Sequence, residues 1–246
     1  MTAEPQPRAR YGPGVALVLL AGILLPVSAP GQGPAGAPPD PGATLLRESD
    51  FVAIWDVTRT PGAAAAAVPR TLAADEVSVT LAAGAVRITR PGGATTLAHE
   101  PFGFVRFEPA GSARAVEAVG ETSRAVVFQL KPAPLPRWPR LADVPGQFPR
   151  VGATLLLETD RIRVWDQTWT PDVRIALHMH YVPTAAVFLE GGRLQTFEAD
   201  GRANPPFGRR RGDVLALAAP LAAPHEEEQV EGRPRAVWVE FKESAP

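Results

Sequence analysis

The sequence predicts an all-β protein made of two tandem β-barrels, and two observations support this prediction. First, residues 42–62 align without gaps on residues 152–172, with 12 of 21 positions identical. Second, short runs rich in Val, Ile, Phe and Thr recur roughly every ten residues, separated by Gly, Pro and Asp. No segment after residue 42 keeps a helical period over about 12 residues. Many short strands in a small unit are typical of a sandwich or a closed barrel.

The repeat also predicts the domain boundaries. The two copies end alike, because "RAVVFQLK" (124–131) resembles "RAVWVEFK" (235–242). We therefore predict a first barrel over residues 42–131 and a second over residues 150–242. The intervening residues 132–149 contain six prolines, which favour an extended, semi-rigid linker.

Residues 1–29 have the layout of a secretory signal peptide. Two arginines precede 13 apolar residues, Val15 to Val27, a run shorter than the about 20 residues of a typical membrane span. Residues 27–29 fit a small-x-small cleavage site, and residues 35–37 fit a second one. Because proline follows both sites, an uncleaved anchor or a buried helix remains an alternative. We expect an exported bacterial protein, periplasmic or secreted, without a stable membrane span and with a flexible lead-in over residues 30–41.

Composition excludes several classes of function. The net charge is −1, which argues against a nucleic-acid partner held by a basic patch. The chain has no cysteine, so disulfides, thiolate metal sites and a cysteine nucleophile are excluded. Apolar residues make up 45% of the chain, which is enough for a sizeable core.

Two of the four histidines, His178 and His180, lie one residue apart in a segment that resembles a buried strand. Alternate side chains of a strand share a face, so the two imidazoles form a natural platform for a metal ion. The alternatives are a hydrogen-bonded histidine pair in the core and an exposed pair.

The spacing around this pair resembles the first motif of the cupin superfamily, which runs Gly, five residues, His-x-His, three or four residues, Glu, six residues, Gly. Here Asp172, His178, His180, Thr184 and Gly191 stand at those positions. The family's second motif begins with Gly and carries a third histidine after a proline. Its counterpart begins at Gly212-Asp213, continues through Pro220, ends at His225 and is two residues longer than usual.

The resemblance covers both repeats and implies a bicupin of two jelly-roll barrels, also called double-stranded β-helices. It implies one divalent metal per chain, Fe, Zn, Ni or Cu, held by His178, His180 and His225 in the second barrel. The implied function is that of a small-molecule dioxygenase or isomerase. The alternative is a non-catalytic small-ligand-binding or structural cupin of the cell envelope. No catalytic residue is assigned, and a homo-oligomer is left open.

The departures from the motifs lead to further expectations. Thr184 replaces the acidic ligand, so three imidazoles plus water are expected around the metal. Glu227 shares strand parity with His225 and is a candidate replacement, although a solvated acidic rim is the favoured interpretation of "HEEE".

In the first repeat, Val68 and Arg70 align with the histidine pair, Arg114 with His225, and Glu76 with Thr184. Arginine cannot deprotonate to bind a metal, so this barrel is predicted to be metal-free. The two arginines and Glu76 either pair with each other, which is the favoured interpretation, or hold an anionic ligand.

Three weaker signals are interpreted as structural. His99 is expected in an exposed loop, and Arg209 to Gly212 as a surface turn. The repeated Trp-Asp dipeptides, at 55–56 and 165–166, are expected to serve packing and turn formation, since the copy without histidines also has one.

Overall fold

The computed structural model describes residues 38–63, 68–132, 135, 138–219 and 221–243. The predicted signal peptide therefore lies outside the described residues. The strands of the first repeat are β1 Thr44–Glu48, β2 Val52–Arg59, β3 Arg70–Thr71, β4 Asp75–Ala82, β5 Gly84–Thr89, β6 Thr95–Glu100, β7 Val105–Glu108, β8 Ala113–Val119 and β9 Ser123–Leu130. Those of the second repeat are β10 Ala153–Glu158, β11 Ile162–Thr168, β12 Ile175–His180, β13 Thr184–Glu198, β14 Phe207–Arg209, β15 Val214–Leu217 and β16 Leu221–Phe241.

The all-β prediction is confirmed. In the described ranges the only helical element is a 3-10 turn, Pro91–Gly93. No helix that could span a membrane is found in these ranges. The first repeat forms a five-stranded sheet, β1-β2-β9-β4-β7, and a four-stranded sheet, β3-β8-β5-β6. The second forms one sheet, β10-β11-β16-β13-β14, with β12 paired to β16 and β15 paired to β13. Its long strands β13 and β16 are each continuous over a stretch that is divided between two strands in the first repeat, β4 and β5 or β8 and β9.

The two repeats share their strand register. Leu45 is opposite Trp55 and Leu155 is opposite Trp165, and a bulge follows each leucine. The Trp55 indole donates to Gln129 at 2.7 Å, and the Trp165 indole donates to Glu240 at 3.1 Å. The sequence identity between the copies therefore reflects one set of inter-strand contacts formed twice.

A pair of ionic contacts is duplicated in the same way. Arg124 contacts Asp56 at 2.8 Å, and Arg235 contacts Asp166 at 2.6 Å. The first pair joins β2 to β9, and the second pair joins β11 to β16. Both carboxylates lie within strands and not in turns. The expectation that the Trp-Asp dipeptides form turns is therefore wrong, whereas their expected role in packing is confirmed.

The largest apolar cluster lies between the sheets of the two repeats. Val126 and Phe128 on β9 join Val237 and Val239 on β16, and all four side chains are buried. Alternate residues of the same strands face their own barrel interior, so both faces of β9 and β16 are covered. A strand covered on both faces has a nearly continuous apolar sequence, as "AVVFQL" does with Gln129 as its single polar residue. Each buried side chain of this size contributes about 1.5–3 kcal/mol through burial.

Two glycine turns contact the opposite repeat in matching ways. Gly103 has a φ of 78°, and a Cβ there would lie 3.1 Å from Leu189 of the second repeat. Gly212 has a φ of 87°, and a Cβ there would lie 3.8 Å from Leu81 of the first repeat. The positive φ favours glycine at both positions, and the close approach adds to this at Gly103 only.

The described part of the linker packs on the second repeat. Met179 of β12 donates its backbone N–H to the Pro145 carbonyl at 3.0 Å, and Gly146 forms a parallel bridge with Met179. The Tyr181 hydroxyl donates to the Val144 carbonyl at 3.1 Å. These contacts carry the chain along the edge of β12 to residue 150, where it enters the barrel.

Three parts of the chain differ from their sequence expectations. The end of the predicted flexible lead-in is held in place, because Asp40 is buried and contacts Arg59 at 2.5 Å. His99 is exposed as expected, but it lies in strand β6 rather than in a loop. In the expected surface turn, Arg211 and Gly212 do form a turn, while Arg209 ends strand β14.

Candidate metal centre

Three histidines meet inside the second repeat. His178 and His180 lie on one face of β12, and their side chains are only 2% and 3% exposed. Strand β12 pairs with β16, where His178 stands opposite His225. The three ring centres are 4.5–5.6 Å apart. The structure thus brings together the histidines that the motifs identify, and their role as metal ligands stays a prediction.

Glu227 joins this group. It follows His225 by two residues on β16 and therefore shares its face. Its Oε1 lies 3.4 Å from His225 Nε2 and 3.9 Å from His178 Nε2. The ligand atoms of His178, His180, His225 and Glu227 all lie within 4.8 Å of one another, so these four residues could hold a metal ion.

The second oxygen of Glu227 is already engaged. Oε2 accepts a hydrogen bond from the Trp169 indole at 3.0 Å and lies 3.2 Å from Nη1 of Arg150. Because these two donors hold Oε2, only Oε1 is directed at the histidines. The carboxylate is therefore oriented for a single metal–oxygen bond.

The acidic-rim interpretation holds for the neighbours of Glu227 and is wrong for Glu227 itself. Glu226 and Glu228 point to the opposite face and pair with Arg174 at 3.2 and 2.9 Å. Glu227 is only 8% exposed. Strand alternation separates the three consecutive glutamates into one interior and two surface side chains.

Arg150 is the residue at this centre that the motifs did not identify. Its side chain is 5% exposed, and Nη1 lies 3.1 Å from His178 Nε2. Its Nε donates to Gln167 at 3.0 Å. Its guanidinium carbon also lies 5.0–6.0 Å from the ring centres of Phe148, Trp169 and Trp238. These contacts place a fixed positive charge beside the histidines.

Burial keeps the two β12 histidines neutral. It lowers the pKa of His178 to about 4, although Glu227 acts in the opposite direction. It also lowers the pKa of His180 well below its usual value. A metal binds the neutral form of imidazole, so both rings are ready to bind at neutral pH.

The hydrogen bonds and charges also fix the tautomer of His178 and the charge of Glu227. The carbonyl of Ala176 can only accept, so Nδ1 of His178, 2.9 Å away, carries the proton and Nε2 carries the lone pair. Burial alone would raise the pKa of Glu227, but Arg150 and the hydrogen bond from His225 outweigh it and lower that pKa well below its usual range. Glu227 is therefore ionised.

The chemistry of these groups fits a transition metal. Three imidazoles and one carboxylate suit Zn, Fe, Ni, Cu or Mn better than Mg or Ca, which favour all-oxygen sites. Both ring nitrogens of His180 are buried without a hydrogen-bond partner, which is costly unless another group satisfies them. A metal would satisfy the nitrogen that carries the lone pair.

Thr184 is not part of the group. It is fully buried, and its Oγ1 has no hydrogen-bond partner. It stands opposite Glu240, just as Glu76 stands opposite Gln129 in the first repeat. At this strand pair the first repeat has its carboxylate on β4, and the second repeat has it on β16. Burial raises the pKa of this second carboxyl, Glu240.

In the first repeat, an ionic cluster takes the corresponding place. Glu76 contacts Arg114 at 2.8 Å and Arg70 at 3.2 Å, so the expected pairing of these residues is confirmed. Gln129 donates to the same carboxylate at 3.1 Å. The absence of a metal from this barrel remains a prediction.

The predicted alignment of the two repeats is wrong by two residues at this point. Arg70 stands opposite Arg114, as His178 stands opposite His225. Val68, which the sequence aligned with His178, is 77% exposed. The two-residue shift between the repeats therefore lies before Arg70.

A small cavity reaches His180 from the surface. It has a volume of about 110 Å³ and is lined by Gln147, Tyr181 and Glu240, among others. A wider outer cavity of about 290 Å³ shares Arg140, Arg163, Val182 and Glu240 with it. The two cavities therefore adjoin each other, and the inner one borders His180.

Comparisons with known proteins support the fold. No family model matches the chain, and no curated protein matches it. The structure of Ylba from E. coli has a TM-score of 0.54 at 13% identity, covering 83% of this chain and 84% of that one. A cupin 2 conserved barrel domain protein from Leptotrichia buccalis has a TM-score of 0.50 at 12% identity, covering 81% and 88%.

Oxalate decarboxylase from Bacillus subtilis is a third similar structure. It has a TM-score of 0.53 at 15% identity and covers 83% of this chain and 73% of that one. At such low identities the similarity establishes the fold and leaves the activity open. Together with the strand order and the repeated register, these comparisons show that the chain has the cupin fold.

Proposed function

We propose that the second repeat binds one divalent metal through His178, His180, His225 and Oε1 of Glu227. The observation that carries the proposal is that these four ligand atoms lie within 4.8 Å of one another, deep inside the barrel. The unpartnered nitrogens of His180 support it. The sequence predicted a site of three histidines, and Glu227 adds the carboxylate that Thr184 lacks.

The proposed reaction class is metal-dependent conversion of a small molecule, by a dioxygenase or an isomerase. Four protein ligands leave up to two positions of a six-coordinate ion open, and a metal in such a site polarises a substrate oxygen or binds dioxygen. The cavity beside His180 gives a small molecule access. The structure of Bacillus subtilis oxalate decarboxylase concerns Mn(II) centres, which supports testing Mn together with Fe, Zn, Ni and Cu.

Metal analysis of the purified chain tests the proposal. After loading and removal of free metal at neutral pH, the wild-type protein should hold about one ion per chain. His180→Ala should lose most of it, because one of four ligands is removed. His99→Ala is the matched control, since His99 is exposed on β6, and it should keep full metal content. Metal-free wild-type protein after loading would refute the proposal.

Oxygen uptake by the loaded protein then tests for catalysis. Catechols, thiols and diketones are suitable substrates because each can bind a metal through one or two donor atoms. Uptake that depends on both metal and substrate supports the dioxygenase. A loaded protein that is inert towards all three classes favours the non-catalytic ligand-binding alternative.

We also propose that the protein is exported, on the basis of the apolar run from Val15 to Val27. Mass spectrometry of the protein from its native host should find a mature chain that begins after residue 29 or residue 37. A full-length cytoplasmic product would contradict export without affecting the metal site.

A further inference from the structure

We propose that Arg150 forms a subsite for a small oxyanion beside the metal, and that a short monocarboxylate fits it best. This inference rests on the proposed metal site and names the class of ligand that the site accepts. Three observations support it: the buried charges of Arg150 and Glu227, the position of the Arg150 guanidinium beside His178, and the buried N–H donors nearby that have no partner.

The charges of the buried groups provide the first step. Arg150 and Glu227 are both buried and oppositely charged, so they balance each other. Imidazoles bind a metal in their neutral form, and a divalent ion therefore adds two uncompensated positive charges. The surrounding walls are apolar, formed in part by Trp165, Trp169 and Trp238. Because unpaired charge in such surroundings is costly, the loaded site favours an anionic ligand.

The position of Arg150 indicates where that anion would bind. Nη1 donates a hydrogen bond to His178 Nε2 at 3.1 Å, so a metal bound at this nitrogen would take over the lone pair that Arg150 contacts. A metal bound there has the guanidinium as its close neighbour, and two cations at short range repel each other. An anion that contacts both replaces this repulsion with two attractions. Planar guanidinium groups match the geometry of carboxylates in particular.

The unpartnered polar atoms point to the same ligand. Nη2 of Arg150, Nε1 of Trp238 and Nε2 of Gln147 are buried without a hydrogen-bond partner, and all three are donors. Trp238 connects them to the centre, because its ring lies 6.0 Å from the Arg150 guanidinium and 6.2 Å from the His180 ring. Gln147 Oε1 is an unpartnered acceptor in the same region. A surplus of buried donors favours a ligand rich in acceptors.

The cavity beside His180 also suits a small anion. This inner cavity of about 110 Å³, which Gln147 also lines, has room for roughly four water-sized groups at about 30 Å³ each, which is the size of acetate. The outer cavity is lined by Arg140, Arg163 and Lys242 together with Glu240 and Glu243, and all three cations are ion-paired. The buried donors, rather than the outer cavity, therefore select the anion.

The test is acetate binding to the cobalt-loaded protein, followed through the visible absorption of the metal. Acetate should shift the spectrum and saturate, and acetamide, its neutral analogue, should not. Arg150→Met should weaken acetate binding at least tenfold, because the charge and the donor are removed. Arg193→Met is the matched control: Arg193 is an exposed arginine of the same repeat, paired with Glu231 at 3.8 Å, and its loss should change nothing.

A second variant keeps the test decisive if Arg150→Met does not fold. Gln147→Leu removes a buried donor without removing a charge and should weaken acetate binding two- to fivefold. Metal content is measured in every sample. Full cobalt loading with no response to acetate, or equal acetate affinity in wild type and Arg150→Met, would overturn the oxyanion subsite alone. Failure of the wild type to bind cobalt would remove both the metal site and the subsite.

Discussion

At the scale of single residues, the centre depends on the alternation of side chains along two paired strands. His225 and Glu227 on β16 face inward because they are two residues apart, and His178 and His180 on β12 do the same. The β12–β16 pairing then places His178 opposite His225. A shift of one residue in this pairing would turn the two ligands of the shifted strand to the other face, away from those of its partner.

We predict that Glu227→Gln lowers metal affinity by at least tenfold. The amide oxygen is a weaker ligand, and the loss of its charge leaves Arg150 buried without its ionic partner, which costs about 3–5 kcal/mol of stability when such a pair is broken. Competition titration with a chromophoric chelator measures the affinity, with the folded fraction monitored by circular dichroism.

Glu228→Gln is the matched control for this prediction. It makes the same change one residue away, on the exposed face that pairs with Arg174. Its metal affinity should equal that of the wild type. Equal affinity in Glu227→Gln as well would show that the carboxylate is not a ligand.

At the scale of elements, β13 and β16 hold the site in register. These long strands pair from Thr184 opposite Glu240 to Glu198 opposite His225. At their closest approach two glycines meet, Gly192 and Gly232, and a Cβ on Gly232 would lie 2.9 Å from the Cα of Gly192. This contact lies in the same strand pair as two of the four ligands.

We predict that Gly192→Ala destabilises the protein by about 1–3 kcal/mol, the usual cost of overpacking, and weakens metal binding. Its Cβ would lie 2.5 Å from the Glu231 carbonyl oxygen and 2.6 Å from Pro234, so one strand has to shift. Gly208→Ala on the adjacent strand β14 is the control, since its Cβ meets nothing within 4 Å. Urea unfolding of both variants measures the difference, and equal stability would contradict the strand packing described.

The sequence predicted the parts of this architecture that depend on local periodicity. Alternation placed His178 and His180 on one face, and the spacing of the second cupin motif identified Arg114 as the counterpart of His225. Arg150 could not be found in this way, because its place in the barrel depends on how the linker folds back on β12. The sequence alignment placed the two-residue shift after Arg70, whereas the strand pairing places it before Arg70. The Ala-rich stretch before Arg70 has no alternation of polar and apolar residues from which a strand register could be predicted.

The parity of Glu227 was visible in the sequence, but its burial was not. A run of three glutamates normally indicates a solvated surface. What buries the middle one is a set of distant partners, Arg150 and Trp169, whose proximity only the folded chain provides.

At the scale of the whole molecule, two copies of one unit have different polar side chains in their interiors. They share strand registers and a common apolar interface, and each directs a glycine turn at the other. The first repeat holds a carboxylate between two arginines, Arg70 and Arg114. The second has histidines near those positions, and its arginine is Arg150, the first residue after the linker. Stability is thus a property of both barrels, whereas the proposed chemistry belongs to one.

We predict that acid destabilises the metal-free protein. His178 has a pKa of about 4 in the folded chain and about 6.5 when unfolded, so between these values only the unfolded chain binds the proton. The free energy of unfolding should therefore fall as the pH drops through this window, by roughly 3 kcal/mol for His178 alone at 1.36 kcal/mol per pKa unit. The lowered pKa of Glu227 adds a loss in the same direction at lower pH.

Urea unfolding at several pH values in the presence of a chelator measures this dependence. His178→Gln removes one of two titrating imidazoles and should reduce the slope between pH 6.5 and 4, with His180 supplying the slope that is left. The same slope in this variant and in the wild type would show that His178 does not titrate in that range.

X-ray absorption at the zinc edge of the zinc-loaded chain tests the central claim most directly, because it reports the ligands themselves. The account predicts imidazole scattering from three histidines and one carboxylate oxygen, with zinc–ligand distances of about 2.0–2.2 Å. Glu227→Gln should alter the oxygen contribution and keep the three imidazoles. A shell made of oxygen alone, without imidazole scattering, would contradict a metal centre built on His178, His180 and His225.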